Sequence, residues 1–421
     1  MKSYWTHEWL VSTVDAVTTT NEVAATASGR TDSYAGSREV HRLEVAMLAA
    51  GLAAFGLLYV TQAVLPSVGT AFGVSATVAS LTVSFATGGL ALAILPMSSL
   101  AESFGRARMM RIGMVAALLL AVGCATSTHF WELLTCRALM GIALGAVVAV
   151  GMGHLGDEIH PSKVSGAMGI YVAGNTIGGV VGRLVPGIAL DFGSWRFAVL
   201  MFTAFASVAI LTFSLLLPAP RRFTPVPARG GHHLRAAREL LADSGIRKLC
   251  GIAFLLMGGF VACYNFLTFR LTSAPIDLSG SAASRLFLAY LAGTVSSTAA
   301  GYCAGRFGRR RVLCSGIALM LGGLALTLPD HLGSITVGLV IFTAGFFAAH
   351  STASGWISAR ASRSRAQASA LYLMAYYLGS STLGAAVGLA FLVGGWSATV
   401  IAIAVLAVAA FGLARSLDPG R

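Results

Sequence analysis

The chain has 421 residues, of which 56% are hydrophobic and only 11% charged, with a formal net charge of +13. Soluble domains carry about 25% charged residues, and here the mean hydropathy reaches +0.78, so most of the chain must face lipid or other helices. The Lys and Arg residues fall in short loops between apolar stretches instead of clustering on one folded surface, which excludes a nucleic-acid partner.

Residues 1–41 contain no apolar run of signal-peptide length. They are expected to form a flexible cytoplasmic N-terminal tail, with the first span doing the targeting. Twelve apolar segments follow, at 44–66, 77–99, 109–127, 131–153, 164–190, 196–217, 248–271, 284–304, 312–329, 333–355, 367–391 and 396–414. Each is near the 20 or so helical residues that cross a hydrocarbon core roughly 30 Å thick. Period-two alternation is absent, so the spans are helices, the form that satisfies the backbone in lipid. The chain divides into an N-terminal six-helix bundle (42–217), a cytoplasmic central loop (218–247), a C-terminal six-helix bundle (248–415) and a tail (416–421).

The central loop opens on Pro218-Ala219-Pro220-Arg221-Arg222 and holds His232 and His233. With no further ligand nearby, the histidines belong to a solvated loop and no metal site is expected. From Leu234 to Leu249, spaced leucines and an Arg235/Glu239 pair at i,i+4 predict a short amphipathic helix on the membrane surface. All but five of the 29 basic residues (Arg137, Arg183, Arg196, Arg270 and Arg285) fall in the tails and the even-to-odd connections. Positive residues collect inside, so both termini are expected in the cytoplasm. The six cysteines lack CxxC spacing and imply neither disulfides nor zinc. No cofactor is expected, and no Walker loop or catalytic triad points to an enzyme.

The second half repeats the first. Ser99-Leu100-Ala101-Glu102-Ser103-Phe104-Gly105-Arg106-Ala107-Arg108 returns 203 residues later as Tyr302-Cys303-Ala304-Gly305-Arg306-Phe307-Gly308-Arg309-Arg310-Arg311. Gln62 matches Asn265 at the same offset, and Tyr171 matches Tyr372 and Trp195 matches Trp396 at 201. Two bundles related by an axis along the membrane normal describe a rocking transporter.

The twelve spans and the doubled loop resemble the major facilitator superfamily, in particular its bacterial drug/proton antiporter-like branch, over roughly residues 42–415. That resemblance implies an all-α membrane protein of two pseudo-symmetric six-helix bundles in a bacterial inner membrane. It also implies a monomer that moves a small molecule by alternating access, as a proton-coupled exporter. The loop between spans two and three is similar to the family's glycine–aspartate–glycine–arginine gate motif, which assigns gating to Glu102, Gly105, Arg106, Arg111, Gly308 and Arg309. In the family the acidic residue engages the N-terminal end of span eleven, where the helix dipole favours negative charge. Glu102 stands in place of aspartate, and Gly305 removes the acid from the second copy. On the bland alternative these arginines only set topology. Arg137-Ala138-Leu139-Met140-Gly141 resembles the Arg-x-x-Gln-Gly signature of span four. Gly174, Gly178 and Gly182 resemble the exporter signature of span five, although small residues at this spacing also simply let helices approach.

Span five carries a second stripe, Tyr171, Asn175, Gly179 and Arg183, matched in span eleven by Tyr372, Tyr376, Ser380 and Gly384. Arg137 and Arg183 lie about 9 Å and about 12 Å below the outer ends of their spans, at 1.5 Å per residue. The expected substrate cavity is therefore lined by Arg137, Arg183, Asn175, Tyr171, Gln62 and Asn265 and closed by Tyr372 and Tyr376, with hydrogen bonding between helices as the plainer account of the stripe. All sixteen acidic residues lie in tails, loops or span ends, so no carboxylate presents itself as a proton carrier. An anion-preferring metabolite carrier is the alternative function. A membrane sensor lacks a sizeable soluble domain to report to.

Overall fold

The computed structural model describes residues 36–219, 230–361 and 364–418, with only the backbone of 230–234 and 236. Residues 1–35 of the expected N-terminal tail and the side chains of the central loop's histidine pair lie outside what is described; residues 37–41, expected in the flexible tail, instead form the start of the first helix. The N-terminal half holds α1 (Ser37–Tyr59), a 3-10 turn (Gln62–Val64), α2 (Leu65–Phe72), α3 (Ala76–Phe104), α4 (Arg106–Thr126), α5 (Phe130–Val148), α6 (Gly151–Glu158), α7 (Pro161–Ala189) and α8 (Trp195–Leu216). After α9 (Gly230–Ala242) come α10 (Ser244–Leu271), α11 (Gly280–Ser284), a 3-10 turn (Arg285–Ala289), α12 (Tyr290–Phe307), α13 (Arg309–Ala325), α14 (Leu332–Arg360) and α15 (Arg365–Arg415).

Ten helical stretches among the described residues are long and apolar enough to cross a membrane. Two further spans complete the twelve. α13, at 17 residues, is one of them and the shorter. α15, at 51 residues, is two spans joined through a break at Gly394 and Gly395, the latter at φ 59°. Large apolar side chains such as Leu92, Leu119, Val295 and Val393 are 67–89% exposed, a surface suited to lipid and costly in water.

Local chemistry sets the boundaries. Ser75, Ser194 and Ser279 accept from the backbone N–H groups of Val78, Phe197 and Ala282 and start α3, α8 and α11. The doubled motif folds into the same turn twice. Gly105 and Gly308 sit at φ 89° and 88°, where a side chain would strain the backbone, and each hands one span to the next. The central helix differs from expectation. It ends at Ala242, because Asp243 caps a new helix by accepting from Gly245 and Ile246, so Ser244–Leu249 open span seven. Its Arg235–Glu239 pair forms at 3.2 Å.

Packing follows the repeat. α1 lies on α7 as α10 lies on the first part of α15; α3 lies on α5 as α12 lies on α14; α4 meets α5 as α13 meets α14. Glycines permit the closest of these contacts. Gly174, Gly178 and Gly182 rest on the backbone of Leu48, Leu52 and Gly56, and a methyl on Gly178 would stand 2.6 Å from the Leu52 Cα. Across the halves, α3 packs on α15 and α7 meets α11. The joining hydrogen bonds Gln62–Asn265 (2.6 Å), Thr77–Gly388 (2.6 Å) and Ser381–Ser84 (2.7 Å) lie away from the face that carries the Gly105 and Gly308 turns. That face is called the basic face below.

Candidate functional site

Arg137 is fully buried on α5, and its partners are three backbone carbonyls and the Met140 Sδ one turn on, at 3.2 Å. Nε donates to Thr82 of α3 at 2.9 Å, one terminal nitrogen to Leu57 at 2.8 Å, and the other to Leu58. Leu57 and Leu58 belong to the last turn of α1, where the chain leaves the helix at Val60 and Thr61. A helix end leaves carbonyls without amide partners and carries partial negative charge. An isolated mid-span arginine costs roughly 2.5–3.5 kcal/mol. Bonds to a charged donor each return about 1.5–3 kcal/mol, so three of them outweigh that cost. The partner of this arginine is therefore a broken helix.

Arg183 reaches the residues just beyond that break. Its Nε donates to Gln62 Oε1 at 2.6 Å, and a terminal nitrogen donates to the Gly179 carbonyl one turn back on α7. Gln62 Nε2 in turn donates to Asn265 Oδ1 at 2.6 Å. The repeat-related pair Gln62 and Asn265 thus touches directly across the halves, and Arg183 joins it. Around the guanidinium stand the rings of Tyr59 at 4.0 Å, Tyr290 at 4.5 Å and Phe287 at 5.5 Å, a cation–π arrangement. Arg183 is 1% exposed, and among the described residues no carboxylate pairs with it. Both arginines therefore meet the same stretch of the first span, residues 57–62.

The other expected residues separate into two places. Tyr171 and Asn175 lie one turn apart on α7. The Tyr171 hydroxyl and Asn175 Oδ1 are buried and make no hydrogen bond of normal geometry. Tyr171 stands over Gly151 and Met47, and Asn175 over Gly51, both nearer the basic face than Arg183. Tyr372 and Tyr376 instead join His350: the Tyr372 hydroxyl lies 3.0 Å from His350 Nδ1 and donates to its carbonyl at 3.2 Å, and the Tyr376 ring centre is 4.7 Å from the imidazole.

Sequence reasoning missed Tyr59, Phe287, Tyr290 and His350 as members of the site. Phe342, Phe346 and His350 recur every fourth residue on α14, and that spacing was a usable signal for one face of the cluster.

At the basic face, Arg106 forms an ion pair with Asp157 at the end of α6, and Arg111 donates to the Leu217 carbonyl at 2.8 Å. Glu102 is half-buried, whereas Gly308 and Arg309 are exposed. In the second half, Arg360 binds Asp243 at 2.8 Å. Burial opposes ionisation of Asp243, but the Arg360 guanidinium and the Ile246 and Gly245 amides outweigh it and hold the carboxyl below its ordinary value.

The comparisons agree with this architecture. The family model for the Major Facilitator Superfamily matches residues 47–382. The chain is 41% identical to the inner membrane transport protein YnfM of Escherichia coli (strain K12) over 379 residues, 89% of this chain and 90% of that protein. It is 35% identical to the uncharacterized MFS-type transporter YybF of Bacillus subtilis (strain 168), over 84% of this chain and 88% of that one. The crystal structure of a bacterial homolog of the human lysosomal transporter Spinster, in an inward-facing and unoccupied conformation, superposes with a TM-score of 0.75 at 18% identity, covering 90% of this chain and 98% of that one. With its twelve spans and its doubled glycine turn, the chain belongs to the major facilitator superfamily and is a multi-pass membrane transporter, not an enzyme.

Proposed function

We propose that this transporter carries a small organic anion across a bacterial inner membrane by alternating access, with Arg183 as the charge that receives it. The observation carrying this reading is that Arg183 is buried among neutral partners only: the Gln62 amide, the Gly179 carbonyl and three rings. Arg137, by contrast, is committed to the end of α1. A positive charge without a counter-charge in a low-dielectric site raises the local concentration of anions. The basic face is assigned to the cytoplasm on the distribution of Lys and Arg, which leaves the halves latched on the outer side by Gln62–Asn265 and Thr77–Gly388. Tyr171, Asn175 and the Tyr372–Tyr376 pair then border the path from the cytoplasm to Arg183.

Proton-coupled export is the second reading, and His350 favours it. It supplies a titratable imidazole inside the helix bundle, hydrogen-bonded to Tyr372, in a chain whose acids lie at span ends. The span-five glycines support close packing on α1.

The test is flux into proteoliposomes for a panel of organic acids, amines and neutral solutes, with and without a pH gradient. Acids should be transported, and Arg183→Gln should slow them at least tenfold. Unimpaired acid transport by Arg183→Gln overturns the anion reading, and indifference to the pH gradient overturns proton coupling.

A further inference from the structure

The C-terminal half builds a two-layer aromatic platform. Its lower layer is buried: Phe260 stacks on Phe346 with centroids 3.8 Å apart and planes 13° apart, and on Phe342 at 5.7 Å and 6°. The upper layer retains accessible surface: Phe347, His350 and Tyr376 are all half-buried. Phe347 meets Phe346 edge-on at 5.3 Å, the His350 ring lies parallel to Phe346 within 7°, and Tyr376 closes against His350 at 4.7 Å. Tyr376 lies within electrostatic range of Tyr59 of the N-terminal half, as well as of Tyr290 of its own.

Aromatic contact continues from this platform to the cation. Phe347 meets Tyr290 at 6.0 Å, and Tyr290 lies under the Arg183 guanidinium. One end of the arrangement offers a positive charge from the N-terminal half. The other offers ring faces from the C-terminal half, on a rigid base. A ligand that combines an anionic group with a planar ring satisfies both ends, and in doing so bridges the two bodies that must move.

We infer that the substrate is an aromatic acid, its carboxylate or equivalent anion directed to Arg183 and its ring seated on Phe347, His350 and Tyr376. This rests on the anion reading above and adds the ring. Packing alone would bury all of these rings, whereas Phe347, His350 and Tyr376 keep accessible surface. Aromatic pairs contribute about 0.5–1.5 kcal/mol beyond the area they bury. An aromatic acid should therefore bind about tenfold tighter than its saturated counterpart.

The experiment is equilibrium binding to the purified full chain in detergent, with phenylpropanoate, cyclohexylpropanoate and the neutral phenylpropanol as probes. Phenylpropanoate should bind about tenfold tighter than cyclohexylpropanoate. Tyr376→Leu should bring the two within about twofold, and Tyr376→Phe, which keeps the ring and reports that the site is folded, should preserve the difference. Equal binding of the two acids to the wild-type protein overturns the aromatic preference and leaves the anion reading standing. Equal binding of phenylpropanol and phenylpropanoate overturns the anion reading and leaves the ring site standing. Failure of all three probes to bind overturns both.

Discussion

Replacing Gln62 with leucine removes both ends of the chain of hydrogen bonds that runs from Arg183 to Asn265. The bond from Arg183 is charge-assisted and contributes about 1.5–3 kcal/mol, whereas a neutral bond between membrane helices averages about 0.6 kcal/mol. Arg183 and Gln62 belong to the same half, so their bond persists when the halves part, and only the Gln62–Asn265 bond is lost with the latched arrangement. The penalty on that arrangement is about 0.6 kcal/mol. That shifts the ratio of latched to unlatched molecules by roughly threefold. Spin labels at Val74 and Leu278, on the outer ends of the two halves, would read the change as a distance distribution in a cysteine-free background. Gln62→Leu should add or enlarge a long-distance population while the helical content stays unchanged. A distribution identical to wild type would mean that the Gln62–Asn265 contact carries no net conformational energy, and the latch would have to be sought at Thr77–Gly388 instead.

Gly178→Leu should lower the thermal midpoint by several degrees, because overpacking costs about 1–3 kcal/mol and the intruding side chain meets the Leu52 backbone, which cannot rotate away. Glu102→Gln should impair transport while leaving protein abundance near normal, if the acid docks on the start of span eleven when the cytoplasmic side closes; a fully active variant would reduce the loop to a topology signal. Asp243→Asn keeps the helix cap and removes the charge facing Arg360, so it isolates an ion pair expected to contribute about 0.5 kcal/mol, given that Asp243 is partly exposed. Because folding depresses this carboxyl, the contribution is fully present above its ordinary value of 3.8 and fades as the pH falls through the folded value. Wild type and variant should differ by a constant margin from pH 5 to pH 8 and converge in acid; a margin that grows in acid would contradict the assignment. Cysteine labelling from outside should reach a residue introduced near Gly69 and miss one near Arg222, and the reverse would invert the orientation.

The spans were legible because lipid imposes one length and one solution for the backbone, and the repeat was legible because both copies need a positive-φ glycine between a helix end and a basic start. The same repeat paired Gln62 with Asn265, two residues that bond each other. Arg137 was harder. Its oxygen acceptors are carbonyls of Leu57, Leu58 and Thr82, and a backbone acceptor has no side-chain identity to read. Pro66 at the start of α2 signals an interruption of the first span but not that the chain already leaves the helix at Val60 and Thr61, so both the arginine's partner and the offset that presents Gln62 to Arg183 were hidden. The aromatic cluster was hidden for another reason. A phenylalanine facing lipid and one facing a cluster look alike in an apolar span, and only the fourth-residue recurrence that ends in His350 sets α14 apart.

The carbonyl clamp of Arg137 has a mechanical consequence. It fastens α1 to α3 and α5 immediately before the helix breaks, while Gln62 and α2, immediately after the break, lean on the other half through Asn265 and Phe269. The first span is thus two levers on one pinned axle: the longer arm is fixed to the N-terminal body, and the shorter arm, beyond the break at Val60 and Thr61, rests on the C-terminal one while the halves are latched. Loosening the pin would let the long arm slide along its neighbours instead of turning with them, so a rocking stroke delivered to one end would no longer arrive at the other.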